Sequence, residues 1–274
     1  MSHVPPKPRS FITTKEHRRF VEFASAVRKQ RTIGLCYGPA GIGKTISALR
    51  VSNWNRIGPY LRDWKPFGPY DQKIASACAR SGTVFYTARV GAGWRQVRDE
   101  LGVDLFRFGH LIATDVARRN GAMVRDTAAA SVELLLIDEA ERLNAMCLEW
   151  VRDEFDRRDM GLILTGMPGI EKRMSRYPQL YSRVGFAHEY RPLQRDELVF
   201  VLEHHWRKLG LDLDETEFTD AQAIAAIARI TGGNFRLLQR LFAQIERVLK
   251  INELTAITDD VVEAARSTLV IGAN

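Results

Sequence analysis

The sequence predicts a parallel α/β domain followed by a small all-helical domain. Three observations carry this expectation. Short apolar runs alternate with helical segments as far as Pro192. A glycine-rich loop stands between the first apolar run and the helix after it. Beyond Pro192 only helical periodicity remains. The chain has 274 residues, 45% hydrophobic and 27% charged. This composition excludes collagen-like, disulfide-scaffold and wholly disordered classes, and a chain of this length buries a core without staples. Cys36, Cys78 and Cys147 are far apart and lack metal-ligand spacing, so they read as thiols of a reducing compartment. No apolar run approaches the roughly 18 residues of a membrane span, and the first residues lack a signal core. The expectation is a soluble, cytoplasmic protein.

Taken in order, residues 1–10 carry three prolines and read as a flexible arm. Thr13 or Thr14 caps a helix reaching about Lys29, with Phe20, Val21, Ala24 and Val27 at helical spacing. Residues 32–37 form a buried strand stopped by glycine, and Lys44 to about Asn53 a helix. The stretch Trp54–Lys73 mixes Gly58-Pro59, Pro66 and Gly68-Pro69 with Trp54, Tyr60, Trp64, Phe67 and Tyr70. Its breakers argue against a regular helix or a central strand. A strand at 83–87 precedes two helices, Trp94 to about Leu105 and Phe108 to Arg119. Residues 132–137 are the clearest buried strand. A helix from Ala145 to about Arg158, a strand at 161–165 and a short fifth strand at 188–190 complete the sheet. Helices at about 195–209, 220–231, 234–250 and 258–269 follow. The division expected is an α/β nucleotide-binding domain at 11–191 and a helical lid at 192–274.

The loop Gly38-Pro39-Ala40-Gly41-Ile42-Gly43-Lys44-Thr45 matches GxxxxGK[ST] between a strand and a helix. Glycines let backbone N–H groups close around phosphates, and the helix N-terminus adds its dipole. Lys44 reaches the β- and γ-phosphates, Thr45 offers magnesium a hydroxyl, and Ile46 completes the binding segment. An apolar run ending in Asp138-Glu139 puts Asp138 where it holds magnesium and Glu139 where it deprotonates an attacking water. The expected reaction is hydrolysis of ATP with Mg2+.

These motifs together resemble the AAA+ class of ATPases over about residues 11–270. The resemblance implies a P-loop sheet flanked by helices and a helical lid. It also implies three further site residues: Thr165 in LILTGMP as a polar sensor, Arg236 in GGNFR as the lid sensor meeting the γ-phosphate, and Arg183 in LYSRV as an arginine finger for the neighbouring subunit. Arg173 and Arg176 compete with Arg183 for that last role. The motif order further resembles the transposition ATPases of the Mu B, TniB and TnsC type. That likeness implies a homo-oligomer, a ring or a helical filament, on double-stranded DNA without sequence preference, nucleoid-associated when bound. It would select a transposition target and activate a transposase, with further transposition proteins as partners and no membrane. ExeA-type secretion or signalling ATPases share the motif order, and such a protein would gate a partner with ATP and never touch DNA.

Net charge is +7, compatible with nucleic acid without proving it. After the second strand, Arg89, Trp94, Arg95 and Arg98 form a basic segment suited to backbone phosphates. Pairing of these arginines with Asp99 and Glu100 is the equally weighted alternative. Arg118 and Arg119 are lesser candidates. The aromatic insert at 54–73, with Arg56, Arg62, Lys65 and Lys73, either contacts DNA or a partner or packs on its own domain.

Overall fold

The computed structural model describes residues 11–63, 71–120 and 132–269. The expected arm at 1–10, and Trp64, Lys65, Phe67 and Tyr70 of the insert, lie outside them. Among the described residues two compact units emerge, those between 19 and 191 on the one hand and 192–269 together with 11–18 on the other. The sequence division had placed residues 11–18 in the α/β domain.

In the α/β unit the elements run α1 (Lys15–Gln30), β1 (Ile33–Tyr37), α2 (Lys44–Ser52), α3 (Trp54–Arg62), α4 (Gln72–Ser81), β2 (Thr83–Thr87), α5 (Trp94–Asn120), β3 (Leu134–Asp138), α6 (Ala145–Arg157), β4 (Gly161–Gly166), α7 (Ile170–Met174), α8 (Pro178–Tyr181) and β5 (Val184–Glu189). The strands lie in the order β2-β3-β4-β1-β5, and every pairing is parallel. Sequences such as LLLID and GLILTG are buried along their whole length, as strands covered on both faces must be. Because the strands are parallel, all their carboxyl ends share one edge. That edge collects the segments after Tyr37, Thr87, Asp138, Gly166 and Glu189, where open α/β sheets bind ligands.

Three expectations are corrected here. Residues 54–62 do form a helix despite Pro59. Trp54, Ile57, Gly58 and Leu61 fall at helical spacing and are buried, and this stripe outweighs the bond that Pro59 costs. The insert continues into a second helix, α4, capped by Asp71 Oδ1, which accepts from the N–H of Lys73 and Ile74. The two helices expected at 94–119 are one, because buried Val97, Leu101, Leu105, Phe108 and Ile112 carry a single stripe through Phe106-Arg107. The fifth strand starts at Val184, earlier than expected, and alternates half-buried with exposed positions as an edge strand does.

The helical unit holds α9 (Arg195–Lys208), α10 (Phe218–Thr231), α11 (Phe235–Ile251) and α12 (Asp259–Ser267). Its core gathers Trp206, Ile227, Leu238, Leu241, Ile245 and Val262. Among the described residues no helix is long and apolar enough to cross a membrane.

Candidate functional site

The glycine-rich loop leaves β1 at Tyr37 and enters α2 at Lys44. Its first glycine passes so close to the chain after β5 that a β-carbon on Gly38 would stand 2.2 Å from the Tyr190 carbonyl oxygen. Gly43 turns at φ 112°, a backbone that favours glycine. Tyr190 braces this turn twice, donating its N–H to Tyr37 O at 2.7 Å and meeting Ser47 Oγ through its hydroxyl at 2.8 Å. The first N–H groups of α2 lack intrahelical acceptors and face the loop with the positive end of the helix dipole. Lys44 is buried and folds back on the loop, donating to the carbonyls of Gly38 and Pro39. Burial lowers its pKa, opposed by Cys36, Asp138, Glu141 and Glu139.

Thr45 Oγ1 donates to Asp138 Oδ2 at 2.7 Å, joining the start of α2 to the end of β3. Asp138 is 3% exposed. Burial raises its pKa, and the Thr45 hydrogen bond works against that rise. A hydroxyl and a carboxylate in contact beside a glycine-rich loop suit a magnesium-bound phosphate, and these two residues would hold the ion. Glu139 follows in a left-handed backbone (φ 55°), its carboxylate 3.3 Å from Arg142. Arg142 in turn donates to Ala88 O at 3.1 Å. Thr165 is fully buried at the end of β4, opposite Cys36 in the register. Its hydroxyl is buried and has no hydrogen-bond partner among the described residues.

Two of the expected residues belong to other elements. Arg183 precedes β5, and its carbonyl accepts from Ile33 N (3.0 Å) and Thr32 Oγ1 (2.8 Å) at the start of β1. It therefore lies at the end of the sheet away from the loop, which is out of its reach. Its guanidinium grips Asp156 with two bonds, at 2.6 and 2.9 Å, and this holds the Asp156 carboxyl below its usual range. Arg236 belongs to the helical unit, exposed in the first turn of α11, whose N-cap Asn234 accepts from Arg236 N and Leu237 N.

In the basic segment arginines pair with the neighbouring acids. Arg89 pairs with Glu100 at 3.4 Å and Arg98 with Asp99 at 2.8 Å. Arg95 and Arg98 lie over the Trp94 ring at 5.5 and 5.1 Å. These cations stay exposed, and such surface pairs are worth about 0–1 kcal/mol, so a phosphate can displace the acids. Arg119 pairs with buried Asp115 and donates to Ser76 Oγ. Sequence reasoning missed Tyr190, Arg142 and Glu141. Each acts through a contact that no local motif encodes, the Tyr190–Ser47 bond spanning 143 positions.

Residues 27–174 match the AAA domain family. A potential ATP-binding protein of Staphylococcus aureus is 41% identical over 275 residues, covering 97% of this chain and 98% of that protein. The Mu-like prophage FluMu DNA transposition protein B of Haemophilus influenzae is 24% identical over 246 residues, 85% of this chain and 72% of that protein. Among solved structures, the RuvB Holliday junction branch migration motor of Thermotoga maritima superposes with a TM-score of 0.56 at 19% identity. That superposition covers 96% of this chain and 72% of the other, and it is a likeness of fold.

Proposed function

The chain belongs to the AAA domain family, and from that premise we propose that it is a magnesium-dependent ATPase that assembles on double-stranded DNA, selects a transposition target and activates a transposase. The observation that carries the ATPase reading is the Thr45–Asp138 bond beside Lys44 and the glycine cradle. The similarity to a DNA transposition protein supports the rest.

Each residue has a separable duty. The loop N–H groups and the α2 dipole bind the phosphates. Lys44, which donates to two loop carbonyls, supplies the charge that the β- and γ-phosphates need. Thr45 and Asp138 would hold a magnesium ion, which when bound would neutralise charge on the phosphate oxygens. Glu139 takes a proton from the water that attacks the γ-phosphorus while the bond to the ADP oxygen breaks. Thr165 orients the γ-phosphate or that water from the strand between. Arg236 senses the γ-phosphate from the lid, and Arg183 completes a neighbour's site, so the active form is a homo-oligomer. Arg89, Trp94, Arg95 and Arg98 meet backbone phosphates of the DNA.

A second reading, an ATP-gated module for a protein partner with no DNA contact, is favoured by the pairing of Arg89 and Arg98 with Glu100 and Asp99. Titrating labelled random-sequence duplex with protein separates the two. The expected result is binding that needs an ATP analogue, ignores sequence and weakens steeply with salt. Absence of binding in every nucleotide state leaves the second reading. In the same assay Lys44→Ala loses nucleotide and assembly together. Glu139→Gln keeps both and hydrolyses about a hundredfold more slowly or worse; hydrolysis by this variant near the wild-type rate would remove Glu139 from its role.

A further inference from the structure

One carboxylate close to the site has no duty in this scheme. Glu141 lies two residues past Glu139, on the 3-10 turn Ala140–Arg142. Its Oε2 is buried and has no hydrogen-bond partner among the described residues. It lies over the end of β4, where a β-carbon on Gly166 would come within 2.5 Å of that oxygen. The same carboxyl accepts from the backbone N–H of Glu141 itself and of Met167, the latter reaching over from the turn after β4. Arg173 on α7 closes the gap a second time, its guanidinium donating to the carbonyls of Glu141 and Leu143. The loop that carries Glu139 and the strand end that carries Thr165 are thus laced together by Glu141 and Arg173.

Two facts place this carboxylate in the electrostatics of the nucleotide site. Its charge favours the Lys44 ammonium, as do those of Asp138 and Glu139. Burial, with Glu139 and Asp138 adding to it, drives its pKa upward. A buried carboxylate oxygen without a donor is a cost that the fold by itself does not return, since an apolar side chain would fill the space without it.

We propose that Glu141 is a positioning residue for hydrolysis: it ties the Glu139 loop to the Thr165 strand end, and its free oxygen takes a hydrogen bond from a donor that arrives with the nucleotide. The two working groups then reach their mutual geometry only in the loaded site. This inference rests on the ATPase reading above.

The test uses the full chain with DNA and reads ATP hydrolysis and the affinity for a fluorescent ATP analogue. Glu141→Gln keeps the shape and an acceptor for Met167 N–H but removes the charge. Gly166→Ala displaces the carboxylate and alters no polar group. Both variants are expected to lower kcat about tenfold or more, the scale of a misplaced catalytic group, with nucleotide affinity within about twofold of wild type. Wild-type turnover in both overturns the proposal. So does a fall in turnover matched by lost nucleotide affinity or by a lost folded fraction in circular dichroism, which marks a merely structural role. Lys44→Ala runs alongside. If it binds and hydrolyses ATP as wild type does, the ATPase reading fails first and the Glu141 proposal falls with it.

Discussion

Three neighbouring arginines show how far local sequence goes in naming a residue's role. Arg173 is spent on carbonyls of its own subunit. Arg176 is exposed, with no side-chain bond among the described residues. Arg183 is oriented by Asp156 at the end of the sheet that its own loop does not share. An oriented, partly exposed arginine that cannot serve its own site suits service to a neighbour. Arg183→Ala is therefore expected to bind nucleotide normally yet hydrolyse at least about tenfold more slowly. Mixing it with Glu139→Gln, which still assembles, should restore part of the activity, because one variant brings the Glu139 carboxylate and the other the arginine. If Arg176→Ala shows this pattern and Arg183→Ala does not, the role moves to Arg176. The loop residues and Asp138 were legible in the sequence because their chemistry is written into contiguous spacing. Glu141, Tyr190 and the Asp156 partner of Arg183 were not, because each acts across the fold.

At the scale of elements, the sequence yields most where burial is uniform. β3 and β4 are largely apolar and bounded by glycine or acid, so both were readable as strands. β5 is an edge strand with Gly185 and alternating exposure, and only its last residues had the look of a strand. The insert departs from its sequence expectation for the opposite reason, since its glycines and prolines mask the buried stripe Trp54, Ile57, Gly58 and Leu61. In the helical unit, α9 presents His205 to Phe242 on α11, the rings stacked at 4.3 Å. Burial first, then the charges of Lys208 and His204, lower the His205 pKa from 6.5 to about 4. The unfolded chain thus binds this proton more readily than the fold does between those values. The stability that neutral His205 supports is full above pH 6.5 and lost as pH falls towards 4. With partial exposure discounted, denaturant melts at pH 7.5 and pH 5 should differ by about 1–2 kcal/mol more in wild type than in His205→Gln. Equal differences would mean that the ring titrates as it does in water.

For the whole molecule, the question is whether nucleotide speaks to both units. The α/β unit has the loop, Thr45, Asp138 and Thr165, and the helical unit has Arg236 on a separate core. A ligand stabilises whatever it binds in the folded state, by about 2.7 kcal/mol at a hundred times its Kd. Hydrogen exchange read peptide by peptide tells the units apart. ADP and an ATP analogue should both slow exchange in residues 38–49 and 134–140, where phosphate and metal chemistry is expected. Only a ligand with a γ-phosphate should also slow exchange around 231–238, the turn that carries Asn234 and Arg236. Arg236→Ala should abolish this second effect and spare the first, because its backbone cap at Asn234 stays intact. Equal exchange at 231–238 with the analogue, with ADP and without nucleotide would remove Arg236 from the site and leave it an exposed arginine on a well-capped helix. Protection that appears with the analogue but survives Arg236→Ala would instead mean that the lid responds to nucleotide through another residue.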